Sequence, residues 1–230
     1  NLVCIPKTID NDLAQTDYSI GYHTAITVAT EAMDRLQPTA ASHNRVMVLE
    51  VMGRDAGHIA LVSGIAGGAD VILIPEIPYK IESICKHIKN INNSGRNFAL
   101  ITVSEAIKTE EGGQVLRGKS LNDRPRYGGV SQYLCNQLEE FLNADTRATV
   151  LGHVQRGGQP TAQDRILATA FGVKAVDMIA EQDFGKMVAW RNNEVVAVPI
   201  DSTIDTYNEV NPNGVLIKTA KAMGIYVGEI

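Results

Sequence analysis

The chain has 230 residues, 44% hydrophobic and 20% charged, the mix of a globular protein; disordered, collagenous and low-complexity scaffolds are excluded. Its 21 basic and 26 acidic side chains leave a net charge of −5, a poor match for a protein whose main task is gripping nucleic acid. No run reaches the roughly 18 apolar residues that read as a membrane span.

Leu2-Val3-Cys4-Ile5 reads as a strand from the outset. No basic leader precedes it, so no signal peptide is expected, and the chain reads as a fragment that opens mid-sheet. Helical spacing follows at Ile26, Ala29, Met33 and Leu36 and is expected to stop before Pro38. A strand is expected at 46–51, then a helix at 57–66 closed by Gly67-Gly68, then a strand at 71–74. Ile81, Ile84, Cys85, Ile88 and Ile91 mark an amphipathic helix that stops at Asn93-Ser94-Gly95. Strands are expected at 98–103 and 148–151. A helix carrying Ile166, Leu167, Ala170 and Phe171 is entered through Pro160-Thr161, with Asp164 at the capping-box position. A last strand is expected at 195–198. These runs are apolar on both faces and rich in β-branched residues, as buried parallel strands are. Alternating strands and helices imply an α/β fold with a mostly parallel sheet and flanking helices. Cys4, Cys85 and Cys135 form no C-x-x-C pair. Such sparse thiols point to a reducing cytoplasm.

In such sheets ligands bind beyond the carboxyl ends of the strands. Five strand ends here run into charged or catalytic residue types. They are Pro6-Lys7-Thr8-Ile9-Asp10-Asn11-Asp12, Met52-Gly53-Arg54, Pro75-Glu76, Ser104-Glu105 and Gly152-His153-Val154-Gln155-Arg156-Gly157-Gly158. Lys7, Arg54, His153 and Arg156 supply positive charge and donors for phosphate oxygens. Gly157-Gly158 allows backbone N–H groups to approach an anion. Asp10 and Asp12 suit a base and a carboxylate near a metal. A helix-entry turn is the plainer reading of Asp-Asn-Asp alone. Lys7 and Thr8 at a strand end turn the balance toward a pocket. His153, taken singly, is equally a satisfied core histidine, and Glu105 a helix-start carboxylate. The stretch from Gly113 to Ser120 fits G-x-x-x-x-G-K-[ST], but lacks a strand before it and a helix after it, so it reads as a polar surface loop.

Together these motifs resemble the phosphofructokinase family. The 6–12 loop resembles its catalytic signature. Val51-Met52-Gly53-Arg54 and the 151–158 segment resemble two more signatures in the right order, and Ser42-His43-Asn44-Arg45 matches the approach to the second. The resemblance runs across nearly the whole chain and lacks an amino-terminal segment of roughly a hundred residues, about one small domain, which in the family carries the Gly-rich donor loop. The stretch 107–129 resembles the longer bacterial and cyanobacterial-type branch.

The resemblance implies a partial, Rossmann-like phosphofructokinase fold. It implies a donor lobe at 1–21 with 155–205, and a fructose 6-phosphate lobe at 22–154 with 206–230. The implied activity is 6-phosphofructokinase, with Mg2+. Asp10 would take the proton from the sugar 1-hydroxyl, Thr8 orient that hydroxyl, Arg54 stabilise the transferring group and Asp12 lie near the magnesium. Met52, Gly53 and Glu105 would hold the fructose ring. His153, Gln155 and Arg156 belong to the sugar-phosphate site, with Arg45 and Arg147 reaching in from a neighbouring subunit of a homodimer or homotetramer. Lys7 leaves the donor open between ATP, the favoured reading, and pyrophosphate. The competing class is a non-catalytic sugar-phosphate module of the same fold, which would have no need of Asp10.

Overall fold

The computed structural model describes residues 1–119, 125–142 and 144–229, without the side chains of 116–119 and 125–127. Two sheets organise it. In the larger, β2 (Arg45–Val51), β3 (Val71–Leu73), β4 (Ala99–Ser104) and β7 (Asp145–Val150) lie in the order β3-β4-β2-β7, all parallel. In the smaller, the short β1 (Val3–Cys4) pairs parallel with β8 (Lys186–Arg191), which pairs antiparallel with β9 (Glu194–Pro199).

Alternation along β2 builds two cores. Met47, Leu49 and Val51 face α1 (Tyr22–His43), α2 (His58–Ala66) and α6 (Val215–Ala222). Val46 and Val48 face α3 (Ile81–Asn93) and α4 (Val130–Phe141). Period-2 side chains buried on both sides are what a covered parallel sheet requires. The small sheet has its own core against α5 (Ala162–Ala180), formed by Leu167, Phe171, Ala175, Met178 and Val188. No helix among the described residues is long and apolar enough to cross a membrane.

Three expectations need correction. α1 does not stop before Pro38 but continues to His43 and ends at Asn44 in a left-handed conformation. Pro38 sits on the exposed face, where water replaces the bond its missing N–H cannot make. Buried Met33 and Ala40 hold the helix on either side of it. Second, the 195–198 strand is not parallel: it is the return arm of a hairpin whose first arm, β8, ends in charged Arg191. Asn192 and Asn193 turn it with φ of 52° and 63°, the conformation a two-residue hairpin turn needs. Third, the 113–120 stretch is not a plain loop. Residues Leu116–Lys119 form a strand, β5, paired antiparallel with β6 (Pro125–Tyr127). Ser120 lies outside the described residues.

The expected caps are present with one difference. Thr161 Oγ1 accepts from the Asp164 N–H at 3.3 Å. The Asp164 carboxylate does not reach back to its own helix. It accepts from the N–H groups of Gly21 and Thr24 at 2.9 and 2.7 Å, and from the Thr24 hydroxyl. A buried carboxylate of α5 thereby caps α1 and ties the two cores together.

Candidate active site

The ladder continues beyond the strand ends: Glu105 N–H donates to Val51 O at 2.9 Å and Leu151 N–H to Glu50 O at 3.0 Å. The segments after β2, β4 and β7 therefore lie side by side. From β2 the chain leaves to α2 on one face. From β4 it passes through the hairpin to α4 on the other. Divergent exits open a crevice between neighbouring strand ends, the usual ligand position in such sheets.

Met52 and Gly53 turn the chain at that crevice. Gly53 has φ 148°, and a Cβ there would lie 2.9 Å from Ala56 O, so only glycine makes this bend without strain. Met52 N–H donates to Gln155 Oε1 at 2.8 Å, and Gln155 Nε2 donates to Ala25 O at 3.4 Å. Gln155 is 1% exposed. Its amide is committed to the backbone, so the expectation that it touches a sugar phosphate is corrected: it props Met52 from behind. Arg54 is exposed and faces Asp55 at 3.8 Å. His153 and Arg156 are exposed on a tight turn over Gly152–Arg156. The Gly157 N–H bonds Val154 O at 3.0 Å and so is not the free anion donor expected of it.

The 5–21 segment is a long loop, not a helix entry, and its conformation is held from within. Asn11, 4% exposed, has φ 55°. Its Nδ2 donates to Asp17 O at 3.0 Å, and its Oδ1 accepts from Ser19 N–H at 2.9 Å. Ser19 Oγ donates to Thr8 O at 2.6 Å. Thr8 Oγ1 accepts from Asp10 N–H at 3.2 Å. Lys7 is exposed and bridges to Ile20 through the backbone. The result turns Asp10 inward while Asn11 points away to brace the loop.

Asp10 Oδ1 is buried and has no hydrogen-bond partner. Burial, then the charge of Asp12, pushes the Asp10 carboxyl up to about 6. Asp55 adds to this, and Arg156 and Arg54 partly offset it. Asp12 is also raised, mainly by burial, with its own backbone N–H opposing. Glu105 is raised to about 7, first by burial and then by Asp10 and Glu50, against the Gly53 N–H and Arg156. Asp10, Asp12, Arg54, Glu105 and Arg156 therefore lie near enough to one another to act on each other's charge. Strongly perturbed carboxylates beside cations in a crevice are a signature of chemistry rather than of packing alone.

Arg45 and Arg147 are not in this cleft. They lie toward the opposite end of β2 and β7, where the Arg45 Nε holds Asp145 Oδ2 at 2.7 Å and Arg147 holds the other oxygen. Strands of this length span about 20 Å, so a pocket of the same copy cannot use both ends.

Several supporting contacts could not be read from the chain, even where a residue such as Glu76 stands at a strand end. The carboxylate of Glu76 accepts from Gly57 N–H, at 2.9 and 3.1 Å to its two oxygens, and from Val210 N–H at 2.9 Å. Glu50, 2% exposed, caps α4 through Ser131 N–H at 2.9 Å and Ser131 Oγ at 2.6 Å. Asn208 bonds the Asn11 and Asp12 carbonyls from nearly 200 residues away. No local pattern announces contacts at that separation.

A phosphofructokinase family model matches residues 1–179. The chain belongs to the phosphofructokinase family. It is 58% identical over 99% of its length to a Synechocystis protein named ATP-dependent 6-phosphofructokinase 1, and 49% identical over 98% to ATP-dependent 6-phosphofructokinase 2 of Clostridium perfringens. It spans 63% and 62% of those relatives' own lengths. Among solved structures, the phosphofructokinase of Pichia pastoris in the T-state superimposes with a TM-score of 0.75 at 35% identity, covering 87% of this chain and 21% of that one. A pyrophosphate-dependent phosphofructokinase from Nitrosospira multiformis reaches a TM-score of 0.79 at 22% identity, covering 99% of this chain and 60% of that one, a likeness of fold alone. The α/β fold with its parallel sheet is thus a phosphofructokinase fold. The three motifs quoted above all lie inside the matched residues.

Proposed function

We propose that this chain forms the fructose 6-phosphate site and catalytic loop of a 6-phosphofructokinase that transfers a phosphoryl group from ATP to the sugar 1-hydroxyl. The observation that carries this is Asp10: an inward, partnerless carboxylate oxygen, with the carboxyl raised to about 6 and flanked by Arg54 and Arg156. At pH 7 it is mostly ionised, yet a better base than an ordinary aspartate.

The hydroxyl oxygen attacks the terminal phosphorus as Asp10 takes its proton. The bond from that phosphorus to the bridging oxygen breaks, and ADP leaves. Thr8 sits beside Asp10 and orients the hydroxyl. Arg54 faces the negative charge that spreads over the transferring oxygens; alignment and such charge stabilisation supply most of the catalysis in phosphoryl transfer. Glu105 and the Met52-Gly53 backbone hold the ring, and His153 and Arg156 the 6-phosphate. Lys7 stands on the donor side. Arg45 and Arg147 complete the 6-phosphate pocket of a neighbouring copy in a homodimer or homotetramer.

No cluster of three or more metal-type ligands occurs among the described residues. Mg2+ in kinase sites is held by one or two carboxylates together with donor phosphates. Asp12 fits that donor set, and the ion would neutralise charge on the phosphoryl oxygens. The names of the relatives favour ATP over pyrophosphate. The unpaired Cys4, Cys85 and Cys135 fit a cytoplasmic setting.

The test is turnover of fructose 6-phosphate by the full-length protein with Mg2+ and either ATP or pyrophosphate, followed as fructose 1,6-bisphosphate. Turnover with ATP that collapses in Asp10→Asn supports the reading. Turnover with pyrophosphate alone reverses the donor. No turnover with either, alongside fructose 6-phosphate binding, leaves the non-catalytic module.

A further inference from the structure

The 204–214 segment crosses the catalytic loop like a strap. Asn208, near its middle, makes three bonds that join the catalytic loop to α2. Asn208 N–H donates to Asp12 O at 2.9 Å. Its Nδ2 donates to Asn11 O at 3.0 Å. Its own carbonyl pairs with His58 Nε2 at 2.6 Å, so that nitrogen carries the proton. On either side the strap is pinned again. Tyr207 bridges Leu13, and Val210 N–H donates to Glu76 Oε1 at 2.9 Å. Glu76 in turn holds the start of α2 through Gly57, next to His58.

The two carbonyls that Asn208 engages are consecutive and belong to the peptide units between and after the two site carboxylates. Asn11 sits at φ 55°, a left-handed conformation that costs a non-glycine residue free energy and persists only when its surroundings hold it. Ser19 and Asp17 hold the Asn11 side chain from one side. Asn208 holds its backbone from the other. Without the Nδ2 bond, Asn11 O loses that partner, and the peptide between Asn11 and Asp12 is held less tightly, by the Asn11 side chain and the Asn208 N–H alone of these contacts.

We propose that Asn208 is a positioning residue for the Asp10–Asp12 loop, fixing through Asn11 O the direction in which Asp10 meets the sugar hydroxyl. This rests on the phosphofructokinase reading above. A displacement of about 1 Å at such a group is enough to cost roughly a hundredfold in rate. The carboxamide does not touch substrate, so its loss acts on alignment and not on sugar affinity.

The experiment uses Asn208→Ala in full-length protein, with Asn211→Ala on the same strap as control. The expected result is a fall in kcat of at least tenfold with the fructose 6-phosphate KM within threefold of the parent. Hydrogen exchange in peptides spanning 8–18 should speed up in the same variant. Should Asn208→Ala fail to fold, Asn208→Leu decides, since it keeps the branched shape and removes the N–H donor without adding a charge beside Asn11 O. A merely structural role predicts a lower thermal midpoint with kcat per folded molecule unchanged. That outcome overturns the proposal, as does an equal fall in Asn211→Ala. A parent that binds fructose 6-phosphate but turns it over with neither donor overturns the functional reading instead, while faster exchange at 8–18 alone still shows that Asn208 positions the loop.

Discussion

The two ends of the large sheet hold the same kinds of side chain and treat them in opposite ways. At the carboxyl ends, Glu105 meets Asp10, which arrives on the loop after β1 of the small sheet; both are half-buried, and both carboxyls are pushed up, to about 7 and about 6. At the amino ends, Asp145 is held down. Desolvation alone would raise it, but the hydrogen bond from Arg45 and the charges of Arg147 and Arg45 win. Arginines are present at both ends. The difference is that Arg54 and Arg156 stand off from the carboxylates they oppose, whereas Arg45 and Arg147 clasp theirs. Incomplete pairing leaves a carboxylate reactive, and complete pairing in water leaves it inert.

The largest effect that tests this contrast is Asp10→Asn. It should lower kcat by about 10²–10⁴-fold or more with the fructose 6-phosphate KM within about threefold. Steady-state kinetics that show kcat within about tenfold of the parent remove Asp10 from the base role.

Next comes Arg147→Ala. Each charge-assisted contact to a phosphate is worth about 1.5–3 kcal/mol, so KM should rise roughly tenfold or more. Within its own copy Arg147 clasps Asp145 and does not enter the cleft. Mixing this variant with Asp10→Asn under subunit exchange should therefore recover activity through mixed oligomers with one intact pocket. Inactive mixtures that sediment as monomers would break the cross-subunit assignment.

Glu105→Gln should act on stability with a marked pH dependence. The folded carboxyl is raised from an ordinary 4.5 to about 7. Its favourable contribution is therefore full below the unfolded value and is lost as pH rises through the folded one. Gln, which never ionises, should stabilise the protein at pH 8 by about 1–2 kcal/mol after solvent screening, and less at pH 5. Denaturant midpoints at the two pH values measure this; a gain independent of pH would deny the buried charge.

The smallest effect is expected from Asp145→Asn. Here the folded carboxyl is lowered, so its contribution is present above the unfolded value and vanishes as pH falls through the folded one, the reverse of Glu105. The pair is exposed, so the thermal midpoint at neutral pH should move by no more than about 2 °C, and 1 M salt should erase the shift. A larger shift that survives salt would mean that Asp145 stabilises through something other than its two arginines.

Much of this was readable in the chain. The strands β2, β3 and β4 appear as β-branched apolar runs because both faces are covered, the edge strand β7 shows only in its second half, and α3 appears as a clean 3.6-residue pattern ended by Asn-Ser-Gly. Arg54, Glu105 and Arg156 could be grouped because a parallel sheet delivers its loops to one edge, whereas Asp10 follows β1 of the small sheet and is brought to them by the tertiary structure. β8 was missed because a hairpin arm with charged ends has no buried run to show. Pro38 misled because a proline stops a helix only where the lost bond cannot be replaced by water.

Residue types at strand ends, set by local pattern, determined the fold class, the family and the chemistry of the cleft. Tertiary structure alone decided which of those residues remain free to act. Gln155 was withdrawn behind Met52, the Gly157 N–H was taken by Val154, and Asp164 was turned from its own helix to cap α1. It also brought Asn208 across to Asn11 and Glu76 to Gly57 and Val210. Each outcome depends on a hydrogen bond to the backbone of a different element. Backbone donors and acceptors are the same at every residue, so sequence carries no mark of which one a distant side chain will find.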